Sequence, residues 1–96
     1  MDFSIKNYIE EHSKVLEKIN IQDLQEVIDL IYDAHIKGKK IITCGNGGSA
    51  STASHMITDW NKMTMNYTSK KLYGFSLTDN IGLITAYAND TNYENV

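Results

Sequence analysis

Ninety-six residues hold one domain at most and leave much of a lone chain's surface uncovered, so a second domain is excluded and partners or further sequence are expected. A content of 42% hydrophobic and 22% charged residues is that of an ordinary folded chain and excludes a disordered one. With a net charge of −3, dispersed lysines and no run of about 18 apolar residues, neither nucleic acid nor a membrane is an expected partner. The start, Met1-Asp2-Phe3-Ser4, lacks the basic-then-apolar pattern of an export signal, and the single Cys44 can form no internal disulfide. Both point to the cytoplasm. Cys44 itself reads as a small buried hydrophobe ending a strand.

Residues 1–96 read as one domain. Ile5, Tyr8, Ile9, Val15, Leu16 and Ile19 follow the three-and-four spacing of a helix over about 3–19. Leu24, Val27, Ile28, Ile31 and Ala34 repeat it over 21–37, with Asn20 as cap and Gly38 where a left-handed residue ends a helix. Two apolar stripes on consecutive helices predict packing of the helices on each other and on a partner subunit. The β-branched run to Cys44 predicts a buried strand from about residue 40. It feeds into Gly45-Asn46-Gly47-Gly48 and then a helix from Ser49, the expected cap, to about Asn61. Lys62 to Lys71 has no period and reads as an exposed connection. Leu72 to Leu77 predicts a second strand, followed by a helix capped by Asp79 or Asn80 within 72–90. Strands alternating with helices imply an α/β fold with a parallel sheet.

A glycine-rich turn between a parallel strand and a helix lets backbone N–H groups approach an anion, and the helix N-terminus adds partial positive charge. The hydroxyls of Ser49, Ser51 and Thr52 suit a small polyhydroxy phosphate, although they can equally serve as helix caps. Gly45-Asn46-Gly47-Gly48-Ser49-Ala50 also fits the looser dinucleotide pattern G-x-G-x-x-G/A. That reading needs an acid about 20 residues on, and Asp79 lies farther away. His55 and Asp59, four apart, share one helix face and can converge on a metal or a substrate carbon, or form an ordinary solvated pair. His12 and His35 read as surface or interface residues, and Trp60 and Tyr67 as packing or rim residues.

Cys44-Gly45-Asn46-Gly47-Gly48-Ser49-Ala50, His55 and Asp59, then Ala88-Asn89-Asp90, follow the order and approximate spacing of the phosphoheptose isomerases of the sugar isomerase (SIS) family. The chain resembles their N-terminal part, with the match spanning residues 40–96. The resemblance implies a three-layer sandwich around a five-stranded parallel sheet, of which this chain holds the first part, and a homo-oligomer, tetrameric in the family, with active sites between subunits. It implies the interconversion of sedoheptulose 7-phosphate and D-glycero-D-manno-heptose 7-phosphate. Carried over, Asn46, Gly47 and Gly48 line the sugar-phosphate site, Ser49 contacts the phosphate, and Asn89 with Asp90 holds the sugar. His55 falls on a zinc ligand. Asp59 falls where the family usually has a catalytic glutamate near the metal, one methylene longer.

The family's second, serine- and threonine-rich phosphate loop and its later glutamine and histidine have no counterpart here. The 96-residue chain is therefore expected to show no isomerisation by itself. Some SIS relatives keep the fold as non-catalytic adaptors, one of them binding a bacterial replication initiator. Such a phosphosugar-binding or adaptor role is the alternative to catalysis, and His55 with an acid at position 59 favours catalysis. Within the loop, Gly48 is expected to be the residue least tolerant of a Cβ.

Overall fold

The computed structural model describes residues 4–96. Its helices are α1 (Ile5–Glu17), α2 (Ile21–Ile36), α3 (Gly48–Met63) and α4 (Ile81–Asp90), and its strands are β1 (Lys40–Thr43) and β2 (Tyr73–Ser76). Short 3-10 turns cover Thr64–Asn66, Leu77–Asp79 and Tyr93–Asn95. The fold is α/β, as the alternation of elements implies. The chain divides into two compact units between Leu30 and Ile31, within α2. Among the described residues, no helix is long and apolar enough to cross a membrane.

In the first unit, Ser4 caps α1 by accepting the Asn7 N–H at 3.1 Å. The Asn20 side chain accepts the N–H groups of Gln22 and Asp23 at 3.0 and 3.2 Å, satisfying two orphan donors of α2 as its position predicts. Phe3, at the expected start of the first helix, lies outside the described residues. The helix ends at Glu17 rather than Ile19, because Lys18 already closes it by bonding back to Val15 and Leu16. The apolar stripes are not covered: Ile5 is 74% exposed and Val27 52%. Among the described residues, α1 and α2 do not make the extensive packing on each other that was expected. Each is held locally, by caps and by exposed pairs such as Lys14 with Glu11.

In the second unit, α2 ends as the sequence predicts. Gly38 takes φ +64°, the Lys39 N–H bonds the Ala34 carbonyl at 2.8 Å and the Gly38 N–H bonds His35 at 3.0 Å, which together make a Schellman motif. His35 is not a surface residue. It is buried, with Nε2 3.4 Å from the Thr68 hydroxyl. The Thr68 hydroxyl, with its one proton, lies 2.6 Å from the Lys70 carbonyl and 3.1 Å from that of Thr64, and the Lys70 ammonium donates to the Ile36 carbonyl at 3.0 Å. The stretch expected as an exposed connection is thus continued helix, a 3-10 turn and a pinned segment.

β1 and β2 pair in parallel, Lys40 opposite Tyr73 and Thr43 opposite Ser76. Along β2, Gly74 and Ser76 are buried while Tyr73 and Phe75 are exposed. The buried side faces α3, which is why its residues are small. A Cβ on Gly74 would lie 2.8 Å from Leu72 Cδ2 and 2.9 Å from Ile57 Cδ1. Ala53, Ile57 and Leu72 are the buried hydrophobic residues of this contact.

Polar links hold the rest. The Asn61 side chain accepts the Gly74 N–H at 3.2 Å and donates to the Gly74 carbonyl at 3.0 Å, standing in for a neighbouring strand. Beyond β2, hydroxyls of Ser76, Thr78 and Ser54 join in sequence, and Ser54 lies 2.8 Å from the Asp79 carboxylate. Each hydroxyl carries one proton, and the network meets two groups that only accept, the Asp79 carboxylate and the Ala50 carbonyl, 3.1 Å from the Thr78 hydroxyl.

Asn61→Ala removes both bonds to a half-buried peptide and should destabilise the second unit by on the order of 2 kcal/mol, read as a lower urea midpoint with an unchanged slope. A midpoint equal to that of the parent chain would show that water replaces the amide without cost.

Candidate functional site

The loop between β1 and α3 is built on backbone geometry. Gly47 has φ 55° and ψ −124°, and the Asn46 carbonyl accepts the Ser49 N–H at 3.0 Å. Asn46 to Ser49 is therefore a type II′ turn, whose second position takes glycine because a Cβ clashes at that φ/ψ. Gly45 is glycine for a different reason. A Cβ there would sit 2.3 Å from the Ser49 carbonyl oxygen and 2.8 Å from the Ala50 nitrogen, because the first turn of α3 folds directly onto it. Gly48 has neither constraint: its φ is not positive and open space surrounds a Cβ. The expectation that Gly48 is the least tolerant position is corrected accordingly. The steric demand falls on Gly45 and the conformational one on Gly47.

Ser49 is not the helix cap either. α3 begins at Gly48, the cap position is Gly47 without a side-chain bond, and Ser49 lies in the first turn. The Gly47 N–H is taken by the Asn46 side chain at 3.1 Å, and the Ala50 N–H by the Gly47 carbonyl at 3.1 Å. The N–H groups of Asn46 and Gly48 have no hydrogen-bond partner among the described residues. The turn thus combines free backbone donors with the N-terminus of a 16-residue helix, where the helix dipole adds to their attraction for negative charge.

A shallow cleft of about 420 Å³ opens beside the turn, lined in part by Thr43, Cys44, Ser49, Thr52 and Met56. Ser49 and Thr52 both line it, with the Thr52 hydroxyl donating to the Gly48 carbonyl at 3.2 Å. Cys44 is exposed here, not the buried hydrophobe expected of it. It follows the last strand residue, where the chain leaves the cover of α3 to enter the turn.

His55 and Asp59 lie further along α3, exposed, with Nε2 3.4 Å from Oδ2. They do not line the cleft. Two donors each ~2.1 Å from one tetrahedral ion lie at about this separation, so imidazole and carboxylate fit two positions of a zinc site. Among the described residues, no group of three or more His, Cys, Asp or Glu is placed to hold a metal. Asn89 and Asp90 end α4, and Asp90 borders a separate small hollow with Tyr87 and Thr91. Neither side chain bonds the turn among the described residues. The link that does exist was not read from the sequence: the Tyr93 hydroxyl donates to the Gly45 carbonyl at 2.6 Å across 48 residues. One tyrosine in a polar tail carries no pattern, and nothing short of the fold identifies it.

A family model described as the SIS domain matches residues 7–92. Among curated relatives, the phosphoheptose isomerase of Clostridium acetobutylicum is 32% identical over 100% of this chain and 49% of its own length. The phosphoheptose isomerase of Helicobacter pylori is 37% identical, covering 100% of this chain and 51% of the relative. A lincomycin biosynthesis protein, LmbN, of Streptomyces lincolnensis is 28% identical over 93% of this chain and 32% of the relative. The chain spans about half the length of the isomerases it matches. No solved structure matches it significantly.

Gly45→Ala should lower stability by on the order of 1–3 kcal/mol and displace the amide signals of the turn, because the methyl group meets backbone rather than a movable side chain. Gly48→Ala should be neutral or slightly stabilising, since an exposed helical glycine gives way to alanine. Thermal unfolding of the two variants checks the order, and a reversed order would mean that the turn closes differently.

Proposed function

The chain belongs to the SIS-domain family, and from that premise we propose that it supplies the first part of a sugar-phosphate aldose–ketose isomerase acting on sedoheptulose 7-phosphate and D-glycero-D-manno-heptose 7-phosphate. The observation that carries this reading is the Asn46–Ser49 turn. It presents free N–H donors and a helix N-terminus in one place, beside a cleft that Ser49 and Thr52 line. Asn46, Gly47, Gly48 and Ser49 form the cradle, and Asn89 and Asp90 hold the sugar as the other half of the contact.

Isomerisation moves one proton from the carbon beside the carbonyl to the carbonyl carbon, through an enediol. A base takes the first proton, an acid supplies one to the carbonyl oxygen, and donors stabilise the negative charge between them. Asp59 takes one of these proton-transfer roles; its carboxylate is exposed to solvent and lies 3.4 Å from His55. His55 and Asp59 would hold two positions of a zinc ion, with the remaining ligands supplied from beyond these residues. When bound, zinc would polarise the substrate carbonyl. The protein acts in the cytoplasm, with no nucleic acid or membrane partner.

The dinucleotide reading is disfavoured by Asp79. Its carboxylate is engaged by Ser54 at 2.8 Å, which ties it to α3 rather than leaving it free for a ribose. A non-catalytic, phosphosugar-binding or adaptor role is the second reading, and the exposed His55–Asp59 pair weighs against it.

We also propose that the exposed stripes of α1 and α2 are covered in a homo-oligomer, tetrameric as in the family. Sedimentation should then show association at micromolar concentration, and a well-folded monomer there would overturn this part.

In a chain of full family length, sedoheptulose 7-phosphate should shift the amide signals of residues 45–52, and a nicotinamide dinucleotide should not. The opposite result would sink the isomerase reading. In a chain of full family length, Asp59→Asn should lower kcat far more than it raises KM, and His55→Ala should lower zinc content. Unchanged turnover in Asp59→Asn would return the pair to a solvated ion pair.

A further inference from the structure

The Tyr93–Gly45 bond bears directly on the turn. Tyr93 stands in the 3-10 turn Tyr93–Asn95 with its ring half-buried, and its hydroxyl reaches the Gly45 carbonyl at 2.6 Å. That carbonyl and the Asn46 N–H belong to a single planar peptide unit. A donor on the oxygen draws electron density from the nitrogen, so it fixes the plane of the unit and makes the N–H a stronger donor. The Asn46 N–H is one of the two groups left without a partner at the turn. Gly45 itself is pressed against Ser49 and Ala50, so the other side of this peptide cannot relax.

We infer that Tyr93 is a positioning residue of the sugar-phosphate cradle: it orients and polarises the Gly45–Asn46 peptide so that the Asn46 N–H is set in advance to meet an oxygen of the ligand. The inference rests on the reading of the turn as that cradle. It adds a second consequence. α4 is closed just before Tyr93, where the Thr91 N–H and hydroxyl bond the Tyr87 carbonyl at 2.9 and 2.8 Å. Asn89 and Asp90, the last two residues of α4, are therefore joined to the residue clasped to the turn only through Thr91 and Asn92.

The test is Tyr93→Phe, which deletes the donor and keeps the ring, compared with Tyr93→Leu and with 3-fluorotyrosine at position 93, a nearly isosteric and stronger donor. In the free chain, the Asn46 amide nitrogen signal should move in opposite directions for phenylalanine and fluorotyrosine, with the signals of residues 53–63 unmoved. In titrations of a chain of full family length with sedoheptulose 7-phosphate, Tyr93→Phe should weaken binding roughly fivefold, about the worth of one hydrogen bond, and fluorotyrosine should tighten it. Wild-type affinity in Tyr93→Phe, with loss only in Tyr93→Leu, would reduce Tyr93 to ring packing and overturn the inference. A wild-type chain of that length whose turn signals ignore the sugar phosphate would overturn the cradle reading, and this inference with it. Should Tyr93→Phe not fold, the fluorotyrosine chain decides: an unmoved Asn46 signal overturns the inference.

Discussion

The second unit depends on how closely α3 lies against the strands and the turn. Two glycines set that distance. Gly74 lets Ile57 and Leu72 close over β2, and Gly45 lets the first turn of α3 fold back onto the end of β1. At either place a methyl group would meet atoms within 3 Å. An α3 moved outward to admit it would lose the small apolar contact of Ala53, Ile57 and Leu72. It would also open the turn. Packing and the geometry of the turn thus both depend on the closeness of α3.

With so little apolar burial, polar side chains fix what the core does not. Asn61 replaces a strand at Gly74, Thr43 donates to the Ala53 carbonyl at 3.0 Å, and the Ser76–Thr78–Ser54–Asp79 chain secures the end of β2 against α3. Each bond contributes modestly, about 1 kcal/mol, but each has one permitted geometry. These bonds determine register more than they determine stability. They place the carboxyl ends of both strands on the same side as the turn, where open α/β sheets bind ligands.

Much of this was legible in the sequence, because helix caps and glycine turns leave local signals. Asn20, Gly38 and Asn80 each perform the expected capping or terminating role. The strand, turn and helix succession is in place, and so is the parallel pairing. What escaped is set by contacts distant in sequence. Gly45, Gly47 and Gly48 look alike as letters, and only the return of α3 onto Gly45 distinguishes a steric requirement from a conformational one. His35 looked like a surface histidine until Thr68 came to lie against it, and Asn61 and Tyr93 had no reason to stand out. The placement of His55 and Asp59 on one helix face was legible, because a spacing of four is a local property.

The two edges of the sheet are not equivalent. Both Gly74 backbone groups are engaged by Asn61, so in the alternation of a parallel ladder Gly74 faces away from β1, and the outer edge of β2 is capped at Gly74. By the same alternation, Tyr73 and Phe75 turn toward β1, where they meet Ile41 and Thr43. The N–H and C=O groups of Ile42 then point outward, and they have no hydrogen-bond partner among the described residues. Ile42 is also 58% exposed. The edge of β1 is therefore open at Ile42, whereas that of β2 is occupied at Gly74. A parallel strand beside β1 ends next to Cys44 and Gly45, so the residues following it arrive at the turn.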